Sequence, residues 1–343
     1  MTETIRIGVI GAGANTKLRH IPGLRAIAGV EIVGVCNRTL ESSQAAAQAL
    51  GIPKIYRHWC ELIEDDAVDA VVIGTWPYLH CPATVAALEN GKHVLCEARM
   101  AMNAEEAHRM WEAARMRPHL VAQLVPAPFT LPLDASIRRI LAEGHIGRPL
   151  LVEVRDHGAF IDPKAPLHWR QNSDLNGMNM MTLGIWYETV MRWLGEATAV
   201  FCLSKTVFNL RRDQDKLLRS VRLPDHLDVL AEMACGAQLH LQISTFTALT
   251  GPTEAFVIGD KGVLRIAEGK LFGGQHGGDH LQEIPAPPDL VGKWRVEEEF
   301  INAVRGIESV KLTTFEDGVK YMEFTEAVFR SSRSGMRVDL PLR

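Results

Sequence analysis

The chain has 343 residues, a length that suggests two domains with a substantial core in each. Its formal net charge of −4 provides neither the basic surface that binds nucleic acid nor a polybasic patch for a membrane, and we expect neither partner. The sequence opens without a signal-peptide pattern, and no apolar run approaches the roughly 18 residues of a membrane span, so we expect a cytoplasmic protein.

The cysteines give no sign of a disulfide framework or a metal site. No pair forms a Cys-x-x-Cys motif or a Cys/His spacing typical of metal ligands, so we expect reduced thiols and no metal. The six cysteines are at positions 36, 60, 81, 96, 202 and 235.

The first 125 residues alternate predicted strands with predicted helices. Apolar runs predict strands over residues 5–10, 31–36, 70–74, 93–96 and 120–125. Helical patterns fall between them, over residues 40–50, 82–90 and 104–117. This alternation indicates the α/β class, with a doubly wound parallel sheet in a first domain of residues 1–125.

Three prolines, at positions 126, 128 and 132, mark the predicted domain boundary. The second domain, residues 126–343, is predicted to be α+β with an open, mostly antiparallel sheet. Its predicted strands are residues 149–155, 198–206, 228–235, 238–245, 254–259 and 263–267. Its predicted helices are residues 133–144, 179–193, 296–304 and about 318–332, and we expect the last to pack back on the first domain. A hairpin turn is predicted at 260–262 and a mobile loop at the glycine-rich stretch 273–278.

A glycine-rich turn follows the first strand. Gly11-Ala12-Gly13 lies between a strand and a helix, an arrangement that lets the backbone approach a pyrophosphate at the helix N-terminus, where Ala14 and Asn15 lie. The third small residue of the usual fingerprint is replaced by Thr16. In its strand–turn–helix context the motif predicts a Rossmann domain that binds a dinucleotide.

The end of the second strand indicates which dinucleotide. An acidic residue there would hold both ribose hydroxyls of NAD. The sequence instead has Asn37, Arg38 and Thr39, and an arginine suits the 2′-phosphate of NADP. We therefore predict NADP(H), with NAD as the alternative; Arg38 could instead be a solvated residue or stack on the adenine.

Several segments together resemble the Gfo/Idh/MocA family, named for glucose–fructose oxidoreductase and inositol dehydrogenase. The similar segments are IRIGVIGAG, His20-Ile21-Pro22, residues 91–107, His168-Trp169-Arg170, Thr182-Leu183-Gly184 and residues 314–342. The resemblance implies a Rossmann domain, an open-sheet α+β domain and hydride transfer to or from a sugar or cyclitol hydroxyl. It also implies a small-molecule substrate and a homo-oligomer, a dimer or tetramer formed through the open sheet.

The catalytic groups expected from this resemblance are replaced. The family's Glu-Lys-Pro is Glu97-Ala98-Arg99 here, so the lysine is missing. The Asp and His that the family carries four residues apart correspond to Thr182 and Trp186. Since oxidation of an alcohol needs a proton acceptor, a non-standard acid–base apparatus is expected.

Other residues near these positions are candidates for the missing roles. Candidate catalytic residues are His168, Tyr187 and Thr182. Candidate substrate-binding residues are Arg99, Trp169, Arg170, Asn179 and Trp186. Thr75, Trp76, His80 and Glu97 complete the predicted cofactor site that Gly11, Gly13, Ala14, Asn15, Asn37, Arg38 and Thr39 begin.

Three functions follow from these observations. The favoured one is an NAD(P)-dependent oxidoreductase of a small polar substrate. The second is a glycoside hydrolase or lyase that retains its cofactor and cleaves through transient oxidation and elimination. The third is a non-catalytic NAD(P)-binding sensor or accessory protein, because loss of activity would also explain the three missing groups.

Overall fold

A computed structural model describes residues 4–342 of the chain. They divide into two compact units. The first contains the residues up to Pro126 together with Arg295–Val319, and the second contains Ala127–Trp294 together with the residues from Lys320 on. The sequence analysis assigned 295–319 to the second domain, whereas this segment belongs to the first unit.

The first unit is built on a six-stranded parallel sheet with the strand order β3-β2-β1-β4-β5-β6. The strands are β1 (Ile5–Ile10), β2 (Val30–Cys36), β3 (Lys54–Ile55), β4 (Ala70–Ile73), β5 (His93–Cys96) and β6 (Ala122–Leu124). Every residue of β4 is buried, as expected for a central strand covered on both faces. The doubly wound parallel sheet is thus confirmed.

Helices connect these strands: α1 (Ile21–Arg25), α2 (Leu40–Leu50), α3 (Trp59–Glu64), α4 (His80–Glu89) and α5 (Ala104–Arg115). The later segment of this unit contributes α9 (Val296–Val304). A π-helical turn, Thr16–His20, precedes α1. The sequence analysis missed β3 and α3, because a two-residue strand and a six-residue helix are too short to show a period.

The second unit contains a nine-stranded mixed sheet with the order β16-β15-β14-β13-β7-β12-β11-β8-β17. Only β7 and β12 pair in parallel in the described part of this sheet, so the predicted mostly antiparallel sheet is confirmed. Its strands are β7 (Pro149–Asp156), β8 (Ala197–Lys205), β11 (His226–Met233), β12 (Gln238–Ser244), β13 (Glu254–Gly259), β14 (Gly262–Ala267), β15 (Lys270–Gln275), β16 (Gln282–Glu283) and β17 (Val338–Asp339). Two more strands, β9 (Leu210–Arg212) and β10 (Leu218–Ser220), form a separate hairpin.

Two turn predictions differ in outcome. The turn at Asp260 joins β13 to β14 in an antiparallel hairpin, as predicted. The predicted mobile loop over 273–278 is wrong in its first half, since Gly273 and Gly274 pair with β14 inside β15. A Cβ at Gly273 would lie 2.6 Å from the Ile284 side chain, so close packing explains this glycine better than mobility.

The remaining helices are α6 (Leu131–Ala142), α7 (Ser173–Asn176), α8 (Leu183–Leu194) and α10 (Phe315–Ser334). The division between the two units falls within α10, after Val319. Within residues 4–342, no helix combines the length and apolar character needed to cross a membrane.

Candidate functional site

The glycine turn of the first unit brings β1 close to the end of β4. Gly11 has φ +87°, and a Cβ there would lie 2.8 Å from backbone atoms of Gly74 and Thr75. The Gly11 N–H donates to the Cys36 carbonyl at 2.8 Å. A Cβ at Gly13 would lie 3.2 Å from the Gly74 carbonyl oxygen. Gly11 therefore requires glycine, whereas a side chain at Gly13 would press against the backbone of Gly74.

A cavity of about 460 Å³ lies beside this turn. Of the predicted cofactor residues, those that line it are Gly11, Gly13, Asn37, Arg38, Thr75 and Trp76. The others, which are not part of its lining, are Ala14, Asn15, Thr39, His80 and Glu97.

The loop after β2 is shaped by its own polar side chains. Asn37 Oδ1 accepts from the Ala12 N–H at 2.7 Å, and its amide donates to the Ser42 carbonyl at 2.9 Å. Thr39 caps α2 by accepting from the Ser42 N–H. The Arg38 guanidinium lies 5.5 Å from the centre of the Trp76 ring. Asn37 and Thr39 thus fix the loop that carries Arg38 to the cavity.

Two basic residues that the sequence analysis did not consider also line the cavity. Arg57 and His58 lie between β3 and α3. His58 begins α3, because its Nδ1 accepts from the Cys60 N–H at 3.3 Å. Two basic residues directly before a short helix form no recognisable sequence motif. They reach the cavity because β3 pairs with β2 at the edge of the sheet.

A buried histidine lies between two carboxylates in the first unit. His20 Nε2 is 3.0 Å from Glu97 Oε1, and its Nδ1 is 2.5 Å from Glu297 Oε1. Burial lowers the pKa of His20, but hydrogen bonds to both carboxylates outweigh it and raise the pKa to about 9. Burial of Glu97 acts against ionisation, yet His20 and Asn15 lower its pKa overall. His20 is therefore an imidazolium that holds Glu97 ionised.

His80 and Arg99 are both buried in the first unit. The carbonyl oxygens of Arg99 and Thr75 lie 2.9 and 3.1 Å from the two ring nitrogens of His80. Complete burial lowers the pKa of His80, so the ring is neutral and donates to one of them. His80 thus supports the segment after β4 from behind the cavity wall. Arg99 is 4% exposed.

In the second unit, a carboxylate contacts two positions that the sequence analysis singled out. Asp156 ends β7, and its Oδ2 accepts from the Thr182 hydroxyl and from Trp186 Nε1 at 3.0 Å. Its Oδ1 accepts from the Thr253 hydroxyl at 3.0 Å. The sequence analysis did not consider Asp156, because it is 26 residues from Thr182 and belongs to no motif. We call Asp156, Thr182, Trp186 and Thr253 the Asp156 cluster.

An exposed aromatic ring adjoins the Asp156 cluster. The centre of the Phe129 ring lies 5.4 Å from that of Trp186, and Phe129 is 45% exposed. His157, which follows Asp156 in the chain, has its Nδ1 3.2 and 3.0 Å from the hydroxyls of Thr247 and Thr250. Aromatic and hydroxyl groups therefore lie next to the members of the Asp156 cluster.

Helix α8, which carries Trp186, is held in place by a buried ion-pair network. Arg192 lies 2.8 Å from Asp134 Oδ2 and 2.9 Å from Glu188 Oε1. Trp193 Nε1 donates to Asp134 Oδ1 at 2.8 Å. Such a network fixes the helix against α6 and the segment that precedes it.

Tyr187 packs inside the second unit. Its ring stacks on Phe324, with centres 3.6 Å apart, and its hydroxyl accepts from the Ala197 N–H at 2.9 Å. Burial raises its pKa. These contacts give Tyr187 a packing role, and they do not bring its hydroxyl to the Asp156 cluster.

The other predicted residues lie in the segment before α8. His168 is exposed and caps a helical turn, since its Nδ1 accepts from the Arg170 N–H at 3.3 Å. Partial burial of the ring and the nearby Arg170 charge lower its pKa. Arg170 stacks on Trp169, with the guanidinium 4.3 Å from the ring centre. Asn179 is buried and donates to the Asn176 carbonyl at 2.7 Å.

Comparison with known families decides the identity of both parts of the chain. Residues 5–123 match the model of the oxidoreductase family with an NAD-binding Rossmann fold, and residues 135–265 match that of the GFO/IDH/MocA C-terminal domain. The chain belongs to the GFO/IDH/MocA oxidoreductase family. The resemblance noted in the sequence is confirmed, and so is the prediction of an oxidoreductase.

Relatives within the GFO/IDH/MocA family include sugar and cyclitol enzymes. The 1,5-anhydro-D-fructose reductase of Ensifer adhaerens is 36% identical over 158 residues, which are 46% of each chain. The inositol 2-dehydrogenase of Burkholderia lata is 27% identical over 92% of this chain and 86% of its own. Levoglucosan dehydrogenase in complex with NADH has the same fold, with a TM-score of 0.87 at 21% identity over 99% of this chain and all of that one.

The residues present fit the dinucleotide of this family. The close approach at Gly11 and Gly13 leaves the turn free of side chains, so that a pyrophosphate can reach the backbone at the start of the following helix. The cavity beside it has polar and basic residues at the end of β2, where the ribose of a dinucleotide lies in this fold.

Proposed function

We propose that the chain is an NADP(H)-preferring oxidoreductase that transfers a hydride to or from a hydroxyl-bearing carbon of a sugar-type or cyclitol-type substrate. The single observation that carries this proposal is the cavity beside the glycine turn. Its lining includes Arg38, Arg57 and His58, and no carboxylate among the residues described.

The cofactor preference rests on charge. The 2′-phosphate of NADP adds about two negative charges, which basic groups at the end of β2 would stabilise and an acidic group would repel. The Arg38 guanidinium lies 5.5 Å from the centre of the Trp76 ring, and Arg38 lines the cavity, so that its N–H groups can donate to an anion there. Arg57 and His58 add two further donors on the same cavity. NAD, which lacks this phosphate, would bind without using them.

Some of the remaining predicted cofactor residues are assigned to direct contact with the dinucleotide, and the others support the segments that follow β4 and β5. We assign Gly11, Gly13, Ala14 and Asn15 to the pyrophosphate, and the loop after β2 to the adenosine ribose. Glu97, Thr75 and His80 shape the segments that follow β4 and β5. When bound, the nicotinamide supplies or accepts the hydride.

The substrate class rests on the second unit. An exposed aromatic ring beside carboxylate and hydroxyl groups suits a ring that has an apolar C–H face and polar edges. The relatives that act on inositol and on anhydro sugars support the same class. His168, Trp169 and Arg170 remain candidate contacts; Arg99, Tyr187 and Asn179, which are buried, do not.

The test combines binding and turnover. Calorimetry with NADP⁺ and NAD⁺ is expected to give the tighter Kd for NADP⁺, and a panel of cyclitols, aldoses and anhydro sugars is expected to change the absorbance at 340 nm with one of the two. Equal affinities would refute the cofactor preference. Cleavage of a glycoside without net reduction of the cofactor would instead support the lyase function, and tight cofactor binding without any reaction would support the sensor.

We also propose a homo-oligomer that covers the open sheet face and a cytoplasmic location. Leu230 of β11 and Leu203 of β8 are 55% and 62% exposed on neighbouring strands, which leaves apolar surface for a second copy. All six cysteines are unpaired thiols, as in a reducing compartment. Light scattering would measure the oligomeric state, and a monomer at micromolar concentration would refute it.

A further inference from the structure

Two of the three positions at which the family resemblance leads us to expect an acid–base group contact one carboxylate. Thr182 and Trp186 stand where an Asp and a His are expected, and each donates a hydrogen bond to Asp156 Oδ2. On the basis of the proposed function, we infer that Thr182 receives the proton of the substrate hydroxyl while Asp156 takes up the proton that Thr182 gives away.

The strand pairing places Asp156 where it can do this. It is the last residue of β7; β12 pairs with β7 up to Asp156 itself, and β13 pairs up to the preceding residue, Arg155. Thr253, just before β13, holds Oδ1, so that Oδ2 points to the start of α8. Asp156 and Thr182 are both partly accessible to solvent, whereas Trp186 is 4% exposed. Hydrogen bonds to Trp186 and Thr253 therefore fix Asp156, while the Asp156 carboxylate and the Thr182 hydroxyl belong to residues that solvent can reach.

The hydrogen-bond donors define the direction of proton movement. A threonine hydroxyl has one proton and two lone pairs, and Thr182 gives its proton to Asp156. Its oxygen can therefore still accept a hydrogen bond from a substrate hydroxyl. The Trp186 N–H can only donate, so it stabilises the ionised form of Asp156 and cannot itself accept a proton.

The proposed step balances as follows. The substrate O–H bond breaks and its proton forms a bond to Thr182 Oγ1, while the Thr182 proton moves to Asp156 Oδ2. The substrate carbon loses its hydride to the oxidised nicotinamide of the proposed function, and the C–O bond becomes a carbonyl. The alcohol is oxidised, the nicotinamide is reduced, and Asp156 ends as a neutral acid that returns its proton to solvent. Reduction runs through the same transfers in reverse.

In this scheme Thr182 is a catalytic residue and Asp156 acts through it. A structural role alone is the competing explanation for Asp156, because its three hydrogen bonds also join β7 to α8 and to Thr253. Asp156→Asn separates the two explanations. The amide oxygen can replace Oδ2 toward Thr182 and Trp186, and the amide nitrogen can donate to Thr253, so the contacts remain while the proton acceptor is lost.

The experiment compares Asp156→Asn, Thr182→Val and Thr182→Ser with the wild-type chain. We expect kcat to fall by about 10²–10³-fold in the first two variants and to recover in Thr182→Ser, since a positioned proton acceptor contributes about 10²–10⁴-fold. Kd for NADP⁺, read by calorimetry, is expected to stay within twofold in all three. Asp156→Ala with added formate is expected to regain activity, because formate can replace the missing carboxylate. The control is Thr198→Val, which removes a threonine hydroxyl of β8 that donates to the Glu232 carbonyl outside the Asp156 cluster, and it is expected to keep kcat within about threefold.

The outcomes separate this inference from the proposed function. A wild-type chain that oxidises no polyol with either nucleotide overturns both. A wild-type chain that turns over, with Asp156→Asn or Thr182→Val within threefold of its kcat, overturns this inference alone. An Asp156→Ala variant that formate does not rescue, although it melts like the wild type and binds NADP⁺ equally well, also overturns it.

Discussion

His20 Nδ1 lies 2.5 Å from Glu297 Oε1, although 277 residues separate the two in the sequence. Glu297 belongs to α9, which the chain contributes to the first unit after it has completed most of the second. The other ring nitrogen of His20 contacts Glu97, which follows the carboxyl end of β5. Because α9 supplies the second carboxylate, the position of this helix affects the protonation of His20. Removal of either carboxylate would change the protonation of the ring.

This arrangement predicts a loss of stability at alkaline pH. The pKa of His20 is about 9 in the folded chain and 6.5 when unperturbed, so the folded state binds this proton more tightly. The stability that it contributes is complete below pH 6.5 and is lost as the pH rises through 9. The loss is on the order of 3 kcal/mol. Glu97, whose pKa is lowered, acts in the opposite window, because its contribution is lost as the pH falls below its unperturbed value of 4.5.

Melting temperatures between pH 6 and 10 would measure this effect. In Glu297→Gln the neutral amide no longer raises the pKa of His20, so the alkaline loss is expected to be smaller and to be complete closer to neutral pH. Glu298→Gln is the matched control, since it removes the next carboxylate of the same helix, which is half exposed. An identical pH profile in Glu297→Gln and the wild type would contradict the prediction.

Gly11→Ala is expected to weaken the binding of both nucleotides at least tenfold and to lower the melting temperature. The added Cβ would lie 2.7 Å from Thr75 Cγ2 and 2.8 Å from backbone atoms, so the walls of the turn must move apart. Gly51→Ala provides the control, because Gly51 also has positive φ, +60°, but nothing lies within 4 Å of its Cβ. It is expected to lose only about 1 kcal/mol of stability. Equal effects of the two substitutions would show that steric contact at Gly11 is unimportant.

Arg38→Ala is expected to raise Kd for NADP⁺ by about 10–100-fold and to change Kd for NAD⁺ by less than threefold. A charge-assisted hydrogen bond contributes about 1.5–3 kcal/mol, and only the 2′-phosphate would use it. Arg115→Ala removes an arginine that also stacks on a tryptophan, 4.8 Å from the Trp111 ring centre, but that does not line the cavity. Calorimetry would measure both constants, and an unchanged NADP⁺/NAD⁺ ratio in Arg38→Ala would refute the assignment.

Arg192→Met is expected to destabilise the second unit by about 3–5 kcal/mol, because the Asp134 and Glu188 carboxylates would lose their buried cation. Arg139→Met is the control; its ion pair with Glu143, 3.8 Å apart and largely exposed, is expected to contribute less than about 0.5 kcal/mol. Urea denaturation followed by circular dichroism would compare them. Cofactor affinity is expected to be unchanged in both, and a loss below 1 kcal/mol in Arg192→Met would contradict the network's role.

The local signals in the sequence were sufficient for five of the six strands of the first sheet and for the glycine turn. A run of apolar residues that ends in Gly11-Ala12-Gly13 predicts a strand followed by a turn, because these residues are neighbours in the chain. Strands and helices of only a few residues could not be predicted from local signals in the sequence. The strand Lys54–Ile55 exists only because it pairs with β2, and with it Arg57 and His58 reach the cavity.

The sequence by itself indicated the family, the class of fold and the position of the glycine turn, and it singled out positions 98, 182 and 186, where the resemblance leads us to expect acid–base residues. These are properties of residue type and short-range spacing. Only the tertiary structure brought Asp156 to Thr182 and Trp186, Glu297 to His20, and Tyr187 into packing against Phe324. Each of these contacts joins elements that are far apart in the chain, and strand register and helix packing decide them without leaving a periodic signal in the sequence.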